Sequence, residues 1–131
     1  MIKAYLVGIS TSYENEDIQI LYRIYKDEER ISEKKILKGY QKPSVVSHVA
    51  LLTLLKELKK HIKDEIIIVI NDAALNEQIR GTTTTKKAEV LKMANKVREE
   101  LKKFNHSVTV KDVSGNHAEL MKWHDELNFG F

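Results

Sequence analysis

One acid stands where α/β proteins most often do chemistry. Asp72 closes the segment Glu65-Ile66-Ile67-Ile68-Val69-Ile70-Asn71-Asp72. Such a run of β-branched residues reads as a central strand covered on both faces, and strands of that kind belong to sheets flanked by helices. Ligands of open α/β sheets bind outside the carboxyl ends of the strands, where Asp72 falls. The plainer role for the same residue is an N-cap for the helix that follows, since Asp is a favoured capping residue. Thiolate chemistry is excluded, because the chain has no cysteine.

The elements that must position Asp72 follow from periodicity. A strand is expected over about 2–10, then a polar turn over 11–17. Residues 18–26 alternate Ile18, Ile20, Tyr22 and Ile24 with Gln19, Leu21, Arg23 and Tyr25, which is the period of a strand. A turn at Asp27-Glu28-Glu29-Arg30 leads to a third strand over 31–40, completing an antiparallel meander. Pro43-Ser44 then opens a helix to about residue 61, with Val45, Leu51, Leu54, Leu55, Leu58 and Ile62 on its apolar side and lysines opposite. After the strand 65–70 come a short helix over 73–80 closed by Gly81, a four-threonine connector over 82–85, and an amphipathic helix over 86–104 with Val90, Ala94, Val97, Leu101 and Phe104 in one stripe. The last strand is read over 106–113, with Val108, Val110 and Val113 inward, and the last helix over 117–128, with Leu120, Trp123 and Leu127 as its apolar face. The order β-β-β-α-β-α-α-β-α implies an α/β fold with a mixed five-stranded sheet, three antiparallel strands first, and helices on both faces.

Composition sets the outer bounds. The 131 residues suit a single domain spanning 1–131, and 42% hydrophobic against 31% charged residues describes a folded chain. No run is apolar and long enough to span a bilayer, and the first residues read as a strand rather than a leader, so a cytoplasmic location is expected. The net charge of +3 is mildly basic and compatible with a polyanionic partner. The lysine clusters Lys56/Lys59/Lys60/Lys63 and Lys86/Lys87/Lys92/Lys96/Lys102/Lys103 fall on helices that also carry Glu, and their plain reading is solvated outer faces.

This order and spacing resemble the type 1 ribonuclease H domain over essentially the whole chain. Ile68-Val69-Ile70-Asn71-Asp72-Ala73 is similar to the family's fourth strand and the acid that opens its next helix. Asp125-Glu126-Leu127 resembles the Asp-x-Leu turn of its last helix, and Val110-Lys111-Asp112-Val113-Ser114-Gly115 its last strand and mobile loop. The resemblance implies a two-metal site for phosphodiester hydrolysis, with Asp72 and Asp125 as metal-binding and catalytic carboxylates and His117 as an outside candidate near the last loop. It implies an RNA/DNA hybrid or RNA as partner, with Ser10, Ser47, Asn71, Lys86 and Lys87 on the phosphate-binding side. The basic lobe that some members insert between the middle helices is absent.

The departures from the pattern decide the expected activity. The family's first strand carries an Asp before its turn; here Leu6-Val7-Gly8-Ile9-Ser10 puts Gly8 at that position. Its first helix carries a sheet-facing Glu; here Ser47 is the equivalent, with His48 one register away. Val113 replaces the His of the last loop. Two divalent ions about 3.5–4 Å apart need converging oxygen ligands. Serine is a poor substitute for a carboxylate, and imidazole suits Zn²⁺ better than Mg²⁺. Asp72 and Asp125 together are then expected to hold at most one weakly bound Mg or Mn ion. The nearest other acids, Glu14, Glu16 and Asp17, lie in the following turn.

Three functions follow in order of preference. The first is a nucleic-acid-binding domain with an incomplete metal site and little or no activity. The second is an interaction scaffold whose sheet-edge strand or tail, Phe129-Gly130-Phe131, docks a partner. The third is an active Mg- or Mn-dependent hybrid endoribonuclease with rearranged ligands. The oligomeric state is not legible in the sequence.

Overall fold

The computed structural model describes residues 1–10, 13, 16–82 and 85–128. Thr11, Ser12, Glu14 and Asn15 of the first turn, Thr83 and Thr84 of the connector, and the tail Phe129-Gly130-Phe131 lie outside the described residues.

Five strands form one mixed sheet in the order β3-β2-β1-β4-β5. They are β1 (Ile2–Ile9), β2 (Ile18–Lys26), β3 (Glu29–Lys38), β4 (Ile66–Ile70) and β5 (Val108–Asp112). β1, β2 and β3 pair antiparallel, while β4 runs parallel to β1 and β5 parallel to β4. The helices are α1 (Val46–Leu58), α2 (Ala73–Arg80), α3 (Ala88–Lys102) and α4 (His117–Glu126). The expected α/β architecture is therefore the observed one.

The β2–β3 turn is tighter than the charge run suggests. Asp27 and Glu28 alone form it, with φ of 47° and 72°. Two positive φ values give a hairpin turn whose twist matches the flanking strands, a place normally held by Asn-Gly. Here the N-terminal amine of Met1 lies 2.9 Å from Asp27 Oδ1 and Asp27 N donates to Met1 O, fixing the turn against β1. β3 consequently begins at Glu29 rather than at 31. Its register slips between Ile24 and Tyr25, which leaves Ile31 as the extra residue of a β-bulge.

Most of the core lies between the sheet and α1, α2 and α3. Val46, Ala50, Leu51, Leu54, Leu55 and Leu58 of α1 pack on Ile2, Ala4 and Leu6 of β1, Ile18, Ile20, Tyr22 and Ile24 of β2, and Ile66, Ile68 and Ile70 of β4. Each fully buried aliphatic side chain contributes about 1.5–3 kcal/mol, so this stripe positions α1 firmly over β1. Ile62, read as part of the stripe, is half-exposed beyond a closing 3-10 turn at Lys59–His61. A smaller cluster on the other face joins Tyr5, Leu21, Val69 and Val113 to Leu120, Trp123 and Leu127 around α4. Val113 thus faces away from Val108 and Val110, because it lies an odd number of residues along the strand from each and side chains alternate between faces.

Candidate functional site

The carboxyl ends of β1 and β4 meet the start of α1 in a cleft of about 70 Å³. Gly8 of β1, Ser47 and Ala50 of α1, Asn71 and Asp72 after β4, and Trp123 of α4 line it. The fold therefore brings Gly8, Ser47, Asn71 and Asp72 together, although they are far apart in sequence. Parallel pairing of β1 with β4 sets two of these side by side, and the apolar packing of α1 sets the third above them.

The chemistry available at that convergence is sparse. Asp72 is the N-cap of α2: its Oδ1 accepts from Leu75 N at 2.9 Å. Ser47 offers a neutral hydroxyl. Gly8 offers no side chain, and one added there would fit tightly. A Cβ there would stand 3.0 Å from Ala50 Cβ and Val46 Cγ1 and 3.1 Å from Val46 O. The helix that covers the core has settled onto the bare backbone of β1. Trp123 closes the cleft from the opposite face, its indole Nε1–H donating to Leu6 O at 3.0 Å.

Asp125 does not join Asp72 in lining the cleft. It is two residues beyond Trp123 on α4, hence about 200° around the helix from it. Its side chain is 78% exposed, with His124 Nδ1 3.9 Å away. Asp125 thus stands apart from the residues that line the cleft with Asp72. His48 points away as well: it is 2% exposed, and its Nε2–H donates to Gln78 Oε1 of α2. It braces α1 against α2 instead of facing the cleft. His117 is exposed at the first position of α4, after Asn116, whose side chain caps the helix by accepting from Glu119 N. Ser10 is exposed past the end of β1, and Lys86 and Lys87 are exposed before α3; none of these lines the cleft. Glu16 and Asp17 are exposed and also stand outside it.

The acid that does meet Asp72 is Asp112. Its Oδ1 accepts from Asp72 N and from Ser114 N, each at 3.1 Å, and its Oδ2 from Ser114 Oγ at 2.7 Å. The sequence signal was the Asp112-Val113-Ser114 spacing, an Asx-type turn at the end of a strand parallel to β4. These bonds tie the chain after β5 to the start of α2. Among the described residues no group of three or more His, Cys, Asp or Glu is placed to hold a metal ion. The cleft's side-chain donors, one capping carboxylate, one amide and one hydroxyl, do not fit a pair of Mg or Mn ions.

No family model matches the chain, and no curated protein matches it in sequence. Its fold is nevertheless shared with solved structures. The ribonuclease H1 called LC11, isolated from compost by a metagenomic approach, superposes with a TM-score of 0.77 at 14% identity, over 97% of this chain and 92% of that one. The same enzyme in complex with an RNA/DNA hybrid gives 0.73 at 17% identity, over 92% and 93%. The N-terminal ribonuclease H domain of a Mycobacterium tuberculosis protein gives 0.72 at 16% identity, over 96% and 94%. At such identities the likeness speaks for architecture, and it agrees with the strand order, the pairing directions and the cleft just described: the chain has the ribonuclease H-like fold.

Proposed function

We propose that the chain is a ribonuclease H-related domain that binds nucleic acid, an RNA/DNA hybrid or RNA, without hydrolysing it. The observation that carries this reading is the seat of α1 on Gly8. Three of the positions that the resemblance gives to metal-binding carboxylates line one cleft, yet one of them is a glycine at which even a Cβ would press tightly on α1. A two-ion mechanism needs acids aimed at one point. This cleft keeps Asp72 alone, with one oxygen already committed to α2. Its other oxygen suits at most one hydrated Mg or Mn ion.

Nucleic acid as partner is supported by the fold's likeness to a ribonuclease H1 solved with a hybrid bound and by the excess of 22 Lys and Arg over 19 Asp and Glu. Ser10, Ser47, Asn71, Lys86 and Lys87 are the groups proposed to meet phosphates. The test is a titration with a labelled RNA/DNA hybrid at several salt concentrations, alongside a cleavage assay in Mg²⁺ and in Mn²⁺. Binding should weaken with salt by a log–log slope of about −0.9 per phosphate neutralised, with the hybrid left intact. Salt-independent binding or no binding removes the nucleic-acid reading. Cleavage that disappears in Asp72→Asn replaces it with an enzyme.

A further inference from the structure

The far edge of the sheet presents backbone groups that no described residue takes up. Ile66 N donates to Ser107 O at 2.8 Å where the pairing of β4 with β5 begins, and Val113 N donates to Ile70 O at 2.9 Å where it ends. Between them the register runs from Ile66↔Val108 to Ile70↔Asp112. Strand alternation then turns the peptide groups of Thr109 and Lys111 toward β4 and those of Val108, Val110 and Asp112 outward. The same three residues line a groove of about 410 Å³ with Ile79 and Arg80 of α2 and Leu101 of α3. Ile79, Leu101, Val108 and Val110 are each half-buried there, an aliphatic floor beside an open row of donors and acceptors.

We propose that this edge and groove receive an extended peptide segment of another protein as a sixth strand, with aliphatic side chains at alternate positions and a carboxylate at the end of α2. The extended form follows from the outward groups, which recur every second residue as a paired strand requires. The aliphatic side chains follow from the floor. The carboxylate follows from charge. Arg80 is exposed, the Arg98 guanidinium lies beside Gly81, and neither arginine takes part in an ion pair among the described residues. A second copy of this chain is the poorer occupant, because a two-fold pairing of β5 with β5 would bring two such arginine pairs to one seam. This edge lies across β4 from β1 and shares no lining residue with the cleft, so the proposal does not rest on the nucleic-acid reading.

The experiment uses the full chain, labelled for NMR, and the blocked peptide Glu-Val-Thr-Val-Thr-Val-Lys. Binding should slow hydrogen exchange at the Val108 and Val110 amides and leave Thr109 and Lys111 unchanged. Two further peptides carry N-methyl groups on the valines or on the threonines. One of them should bind about tenfold more weakly, since it loses the bonds to β5, and which one it is gives the direction of the added strand. Arg80→Gln should weaken the glutamate peptide by about threefold while leaving a glutamine version unaffected. The proposal is overturned if both methylated peptides bind like the parent, if the parent does not bind, or if the Val108 and Val110 amides become protected in the free chain as its concentration rises, which would assign the edge to a second copy.

Discussion

Two hollows of this molecule invert the usual relation between charge and site. The cleft at the ends of β1 and β4 measures about 70 Å³ and keeps a single carboxylate. A hollow of about 760 Å³ at the opposite end of the sheet is lined by Met1, Lys3, Tyr25, Asp27, Lys122 and Glu126, among others. That second region is rich in ionisable groups, but they answer one another. Glu126 accepts from Tyr25 Oη at 2.7 Å and from Arg23 at 3.4 Å, Arg23 also pairs with Glu33, and Asp27 holds the N-terminal amine. That network braces α4 against β2. The convergence of strand ends, even stripped of charge, is where the backbone geometry still points. Density of charge is thus a poor guide to the site here, and topology a better one.

The sharpest way to break this comparison is to restore charge to the cleft. Gly8→Asp would press a Cβ tightly on Val46 and Ala50. It should cost about 3 kcal/mol or more in urea unfolding, and Gly8→Ala about 1–3 kcal/mol, because overpacking acts with or without the charge. Neither variant should gain Mn²⁺ binding. A stable Gly8→Asp protein that binds manganese would mean that α1 yields easily and that the cleft is only one substitution from a metal site.

Next in size is the opposite region. Arg23 has a side chain 15% exposed and lies between Glu33 and Glu126. Arg23→Ala leaves the mostly buried Glu126 with Tyr25 alone, and should cost about 2 kcal/mol at neutral pH. Arg23→Lys should recover only part of that, since an ammonium cannot reach two carboxylates with a planar fork. An unchanged urea midpoint in Arg23→Ala would show that the network is an ornament of the surface and that the contrast with the cleft is empty.

Much of this was legible in the sequence, for a physical reason. The runs at β2, β4 and α1 have strong periods, and burial on one or both faces enforces them, so the mixed sheet with its three leading antiparallel strands followed. Gly8 and Ser47 fell in the cleft because strand pairing and helix packing fix position whatever the side chain. What the sequence did not display has a different cause. Asp125 was placed by a three-residue pattern, but which way a residue faces on α4 depends on which neighbour packs, and there Trp123 does. His48 looked like a polar residue at a helix start, yet Gln78 of α2 lets it be buried. Asp112 went unremarked because its partners, the Asp72 and Ser114 amides, are backbone groups that no side-chain motif reveals.

A smaller effect separates the two roles open to Asp72. As a cap, its replacement by Ala should cost about 1 kcal/mol, while Asn, which caps equally well, should be neutral within a few tenths. Hybrid binding should be the same in both variants. If Asp72→Asn alone lost affinity for the hybrid or for Mn²⁺, the cleft would hold a ligand that its cap role does not explain.

The smallest expected effect lies at alkaline pH and belongs to the paired region. Burial holds the phenols of Tyr5, Tyr22 and Tyr25 above the ordinary value of 10.0, and for Tyr25 the Glu126 carboxylate adds to it. A phenol whose pKa is higher in the folded state keeps its proton more tightly there. The stabilisation is therefore complete below about pH 10 and is lost as pH rises through the unfolded and then the folded values. Urea midpoints should be flat from about pH 8 to 9 and fall steadily above 10, in step with phenolate absorbance. Tyr25→Phe should start from a lower midpoint, having lost the bond to Glu126, and then fall less steeply than the parent. Equal slopes would assign the alkaline loss to Tyr5 and Tyr22 and remove Tyr25 from the titrating part of the network.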